Sequence, residues 1–252
     1  MNRNTDSDAP FIARIRDALQ LCGRRNSPQF VGFLDERQAM LAQREARRDG
    51  NPGVLFYGGH EDAERTMLGV FPSTREASVS EFPISLLTAR YRPADVLTHR
   101  DFLGGLMSCG IERSTVGDLL IEDGRTVLFV TRSMTPYLLD QLKKVGRVGI
   151  KLREGAEEPY PAGRGFETLE RTVSSMRLDA VVAALLLTSR EKSASLIQAG
   201  LVQLRFEITE NLSAEVRPED KLSVRGYGRF MVEKIGSITR KGRYKFLARK
   251  YI

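Results

Sequence analysis

Met176-Arg177-Leu178-Asp179 opens the stretch on which the fold turns. It continues through an apolar segment to Thr188-Ser189-Arg190-Glu191-Lys192 and Leu196-Ile197-Gln198-Ala199-Gly200-Leu201-Val202, and closes with Asp220-Lys221-Leu222-Ser223-Val224-Arg225-Gly226. Leu178, Val181, Val182 and Leu185 fall at helical spacing, which predicts an amphipathic helix with Arg177 at its solvated start. Thr188 and Glu191 spell a capping box that restarts a second helix, with Ala194, Leu196 and Ile197 on its buried side. Gly200 suits the left-handed position that ends a helix, and Val202 to Ile208 alternates as a strand. The two short helices should pack as a hairpin on a small sheet. Arg190 and Lys192 lie in the first turn of the second helix, where unpaired amides and the helix dipole favour an anion. A phosphate there would meet backbone and side-chain donors together.

These residues resemble the small RNA-binding module named after ribosomal small-subunit protein S-four, also called the alpha-L motif. The resemblance is carried by Arg177-Leu178-Asp179, Ser189-Arg190, Ala194, Leu196-Ile197, Gly200, Val202, Asp220 and Val224-Arg225-Gly226. Arg205-Phe206 stands where that module usually has an asparagine, a departure that touches one contact.

Working outward, the charge balance singles out the same region. Residues 171–252 hold 16 Lys and Arg against 8 Asp and Glu, an excess of +8, while the whole chain carries only +7, so the first 170 residues have a balance of −1. Positive charge kept soluble for its own sake would be spread along the chain; a localised excess is the footprint of a nucleic-acid surface. At 252 residues and 41% hydrophobic, the chain can bury a core and form one to three domains. Cys22 and Cys109 are too few for a disulfide framework and have no metal-ligand spacing. No apolar run reaches membrane length and no secretory leader is visible, so a cytoplasmic protein without a membrane partner is expected.

Upstream, Pro10 to Cys22 reads as a helix. Ser27-Pro28 then looks like a cap and first-turn proline for a longer helix through Phe30, Val31, Leu34, Met40 and Leu41 to Asp49-Gly50. Residues 1–50 are thus expected to form a helical hairpin. Its Arg44, Arg47 and Arg48 suit a helix C-terminus as well as an RNA contact. From 51 to 153 strands and helices alternate: a strand at Val54–Tyr57, a helix at Glu61–Leu68, strands between Ser78 and Arg90, and a helix capped by Thr98. A hairpin around Asp123-Gly124, a helix at Tyr137–Lys144 and a strand at Val148–Leu152 follow. The order predicts an α+β, RRM-like sandwich with helices on one face of a mainly antiparallel sheet. Phe56, Tyr57 and Phe129 read as core or as stacking rings. Residues 154–170, with Pro159 and Pro161, read as a linker to the 171–252 module. The chain then ends in a basic hairpin turning at Lys241-Gly242, with Arg243 and Lys245 on one strand face and Tyr244 and Phe246 on the other.

A second resemblance spans nearly the whole chain. Leu97-Thr98-His99-Arg100-Asp101-Phe102-Leu103-Gly104-Gly105-Leu106-Met107, Gly110-Ile111-Glu112-Arg113, Gly117-Asp118 and the closing Ser223 to Phe230 are similar to signatures of the YlmH family. That resemblance implies a non-enzymatic factor acting on the large ribosomal subunit, with ribosomal RNA and peptidyl-tRNA as partners, in quality control of stalled subunits.

Enzymes also carry such modules. Gly163-Arg164-Gly165 is similar to part of a pseudouridine-synthase strand, but Phe166 and Glu167 follow where a catalytic aspartate is needed, and Tyr57-Gly58-Gly59-His60 is too short for a methyltransferase cofactor loop. His60 and His99 have no nucleophile assignable from spacing. We therefore expect no catalytic residues, no metal and no cofactor, and a monomer; an RNA-modifying site within 53–153 is the alternative. The expected RNA-binding residues are Arg177, Ser189, Arg190, Lys192, Arg205, Arg225, Arg229, Arg240, Lys241, Arg243 and Lys245.

Overall fold

The computed structural model describes residues 4–50, 53–163, 165–239 and 242–251, with side chains from Asp8 onward. The expected positions Arg240 and Lys241 lie outside the described residues. The chain divides into two compact units, Met1–Gly163 and Arg164–Ile252. No helix among the described residues is long and apolar enough to cross a membrane.

The first unit begins with helix α1 (Asn4–Arg25), strand β1 (Gln29–Leu34), helix α2 (Glu36–Asp49) and strands β2 (Val54–Tyr57) and β3 (Thr66–Val70). The strands form an antiparallel sheet in the order β1-β3-β2, and Ile15, Leu19, Ala42 and Ala46 pack the helices onto Val31, Leu68 and Val70. Two helical expectations give way here. Phe30–Leu34 is a strand, because Asp35, not Ser27, caps α2: its carboxylate accepts from the Gln38 amide at 2.9 Å, and the Gln38 side chain accepts from the Asp35 amide at 3.0 Å. Gly32 lies where a Cβ would sit 2.3 Å from the Ser114 carbonyl oxygen, a close approach that fixes the strand against its neighbour. Glu61–Leu68 is likewise not helical; it is a turn followed by β3.

The unit continues with β4 (Ile84–Arg90), α3 (His99–Ser108), β5 (Val116–Glu122), β6 (Arg125–Thr131), α4 (Thr135–Gln141), a two-residue ribbon of β7 (Lys144–Val145) and β8 (Val148–Gly149), and β9 (Lys151–Glu154). The main sheet runs β5-β6-β4-β9, antiparallel throughout. Thr98 and Asp101 close a capping box at α3, and Phe102, Leu106, Leu138 and Leu142 cover one sheet face. The opposite face is covered too: Leu120, Val127 and Phe129 meet Phe33, Met67 and Phe71. Phe129 is therefore core, and Phe56 and Tyr57 pack against buried clusters, so the rings considered for stacking are spent on cohesion.

A polar knot joins the two sheets. The Asp118 carboxylate accepts from the amides of Glu64 (2.8 Å) and Arg65 (3.0 Å) and lies 3.0 Å from His60 Nε2. Arg65 in turn donates to the carbonyls of Phe33, Arg113 and Val116. Burial, and then the neighbouring Arg65 charge, push Arg113 down to about 10. Much of the proline-rich stretch after β9 is tied down as well: Arg125 donates to the carbonyls of Glu157 and Pro159, and Tyr160 packs edge-on against Phe129.

The second unit comprises β10 (Phe166–Val173), α5 (Leu178–Leu186), α6 (Arg190–Gln198), β11 (Val202–Leu204), β12 (Glu207–Ile208), β13 (Lys221–Val224), β14 (Gly228–Ile238) and β15 (Tyr244–Tyr251). Its sheet is antiparallel in the order β10-β15-β14-β13-β11-β12, with α5 and α6 on one face over a core that includes Val181, Ile197, Phe230 and Phe246. Burying each of those two phenylalanines contributes about 1.5–3 kcal/mol. Two local expectations change. Ser189, not Thr188, caps α6, its hydroxyl accepting from the Lys192 amide at 3.2 Å. The run Val202–Ile208 is not one strand, because Arg205 (φ 52°) and Phe206 (φ 67°) turn it into a tight hairpin.

Candidate nucleic-acid interface

The expected cations of the second unit fall into two groups that sequence alone does not separate. The first group is neutralised internally. Arg177 (3.2 Å) and Arg190 (2.7 Å) both reach the carboxylate of Asp179, which is buried at the start of α5. Burial opposes ionisation of Asp179, but hydrogen bonds and charge from the two arginines outweigh it and hold its pKa below the usual aspartate value. Arg205 makes two 2.6 Å bonds to Asp220 and a third, 2.8 Å, to the Glu215 carbonyl. The Arg177 backbone bridges to Glu215, so Arg190, Asp179, Arg177, Glu215, Arg205 and Asp220 form one continuous chain of contacts. Lys245 is paired with Glu170.

The second group has no such partners. The side chains of Lys192, Arg225 and Arg229 are exposed and make no ion pair or hydrogen bond among the described residues. Arg225 and Arg229 bracket the turn Arg225-Gly226-Tyr227-Gly228-Arg229, in which Gly226 (φ 86°) and Gly228 (φ 118°) take backbone angles that side-chain-bearing residues avoid. The turn holds Tyr227 out with 43% of its surface exposed. An exposed ring between two unpaired guanidiniums can stack a base while its neighbours meet phosphate. Tyr227 was not among the expected contact residues; the alternation of Arg, Gly and Tyr is the signal that could have found it. The Arg225 amide donates to Leu201 at 2.9 Å, which sets this turn beside the C-terminal end of α6. Lys192 is at the other end, roughly 13 Å away along a nine-residue helix.

The anion position expected at the start of α6 is already used. Ser189 satisfies one amide, and the Glu191 carboxyl is lowered first by a hydrogen bond from its own backbone amide and then by Ser189. Ser189 therefore positions the helix. Arg243 donates to the Thr172 carbonyl at 3.0 Å, which aims its guanidinium along β10. Beside it, Arg171, absent from the expected set, is oriented by the carbonyls of Ala184 (3.0 Å) and Glu170 (2.9 Å).

Fold and surface together define an α+β protein whose C-terminal unit sets two unpaired arginines beside an exposed ring. The chain belongs to the YlmH family. Over 238 residues it is 32% identical to the ribosome-associated protein quality control protein P2 of Bacillus subtilis, covering 93% of this chain and 92% of that one. Residues 78–158 match the family described as "Putative RNA-binding domain in YlmH". In fold, the chain is similar to the structure of the cell division protein ylmH from Streptococcus pneumoniae, with a TM-score of 0.53 and 21% identity over 62% of this chain and 95% of that one.

Proposed function

We propose that this protein binds structured ribosomal RNA on the large ribosomal subunit through an S-four-type module formed by residues 171–252. It acts without catalysis, as a cytoplasmic monomer in quality control of stalled subunits, with peptidyl-tRNA as a further partner. The observation that carries the reading is the pair of unpaired arginines, Arg225 and Arg229, on either side of the exposed Tyr227, with unpaired Lys192 at the other end of α6, in a unit that holds the chain's whole excess of positive charge. The name of the Bacillus subtilis relative supports the ribosomal setting. Arg177, Arg190 and Arg205, already paired with carboxylates, act as a rigid frame whose remaining N–H groups add directional phosphate contacts. Shape and phosphate spacing set the target more than base identity does.

Of the two histidines, His99 opens α3 beside Arg100 and Asp101, and His60 is part of the packing of the first unit. His60 is held between Asp118 and the Phe129 ring, 4.7 Å away between centroids, inside the knot that joins the two sheets.

The test is a triple reversal, Lys192→Glu, Arg225→Glu and Arg229→Glu, in the full chain. Because none of the three side chains has a partner among the described residues, thermal stability should stay within about 1 kcal/mol of the parent. Sedimentation with large subunits should fall at least tenfold, and the log–log salt slope should shrink by about 0.7–0.9 for each contact removed. A folded variant that sediments like the parent would refute the proposal.

A further inference from the structure

The second unit contains a groove of about 550 Å³ between β10 and the corner where α5 meets α6. The groove is more open than enclosed. Its floor is small and apolar, formed by Val173, Ala180, Ala183 and Ala184. Arg171, Arg190 and Arg243 line it, each already aimed by fixed hydrogen bonds: Arg171 by the Ala184 and Glu170 carbonyls, Arg190 by Asp179, Arg243 by the Thr172 carbonyl. Glu170, the one acidic residue in the lining, is paired with Lys245.

Leu187 also lines this groove, and its state is doubly unfavourable. It has a left-handed backbone (φ 52°, ψ 47°), a region costly for a residue with a Cβ, and 77% of its surface is exposed. A glycine or asparagine would make the same turn without strain and without presenting an apolar side chain to water. Strain of this kind is retained where a site uses it.

We infer that the groove receives a single unpaired RNA nucleotide. The base lies on the alanine floor against Leu187, and the flanking phosphates meet Arg171, Arg190 and Arg243. An apolar slot rimmed by cations fits a flat heterocycle carried on an anionic backbone, and a base can enter only where it is not paired in a duplex. This inference rests on the RNA-binding reading and sharpens it: the module reads a bulge or loop rather than a continuous helix.

The experiment compares two hairpin RNAs, identical except for one bulged nucleotide, binding to the full chain at one salt concentration. The parent should prefer the bulged hairpin by about tenfold, the order that burying the apolar face of one base against aliphatic side chains supplies. Leu187→Asn, which keeps the left-handed turn, should abolish that preference while leaving melting temperature and affinity for the plain hairpin unchanged. Ala184→Leu, which fills the floor, should do the same. The triple reversal of Lys192, Arg225 and Arg229 should instead weaken both RNAs together. Equal binding of the two hairpins by the parent would overturn the inference while leaving RNA binding intact; binding of neither would overturn both. Retained preference in Leu187→Asn would also overturn it. So would a loss of ribosomal-protein crosslinks in the groove variants with RNA preference unchanged, which would make the occupant a peptide.

Discussion

Asp179 shows how one residue changes the meaning of its neighbours. Its buried carboxylate takes the charge of Arg177 and Arg190, so those arginines hold the start of the helix pair before they can hold anything else. Arg190→Glu would set a second carboxylate against it, and should lower stability by about 1–2 kcal/mol, read as a shift in the urea midpoint. The reversal is thus a poor probe of RNA binding taken alone. The same contact has a pH signature. The folded-state pKa of Asp179 is lowered, so its stabilisation is present above the unfolded value of about 3.9 and is lost as pH falls through the folded value. The Asp179→Asn variant should therefore lose less stability than the parent when acidified below about pH 4, measured by urea denaturation at each pH.

Elements were legible where their signals were local. The spacing of Leu178, Val181, Val182 and Leu185, the Gly200 terminus and the Thr98 cap each mark an element that forms. The apolar spacing of Phe30–Leu34 suits either period, and the Asp35 and Gln38 capping box ends the ambiguity by starting the helix after it. Asp35→Ala should cost about 1 kcal/mol by removing that cap, seen as earlier unfolding in urea. The Glu61–Leu68 segment carries no comparable local signal. Its backbone is held by Asp118, more than fifty residues away in sequence, and Gly58 lies where a Cβ would meet the Arg65 carbonyl oxygen at 2.4 Å. Asp118→Asn should cost about 2–4 kcal/mol, since two amides and His60 lose a charged hydrogen-bond partner and the half-buried Arg65 and Arg113 lose a favourable neighbouring charge. A calorimetric scan checks it.

Across the whole molecule, the excess positive charge lies beyond residue 170. If the second unit carries the RNA contacts, a new cation in the first should leave the salt dependence of binding unchanged. Glu76→Lys, at an exposed position in that unit, should do so within error, whereas Lys192→Glu should reduce the log–log slope by about 0.7–0.9. Titration of RNA affinity against salt distinguishes the two.

By itself the sequence determined the concentration of positive charge beyond residue 170, the paired short helices and the family resemblance, because these depend on composition and on residues a few positions apart. Which cations are free was decided only by the tertiary structure. Arg190 reaches Asp179 and Arg205 reaches Asp220 only once the helices and the Arg205-Phe206 turn bring them together, and the strength of a charge pair depends on distance and burial that no spacing in the chain specifies. For the same reason Lys192, Arg225 and Arg229 stand out only after their neighbours have found partners.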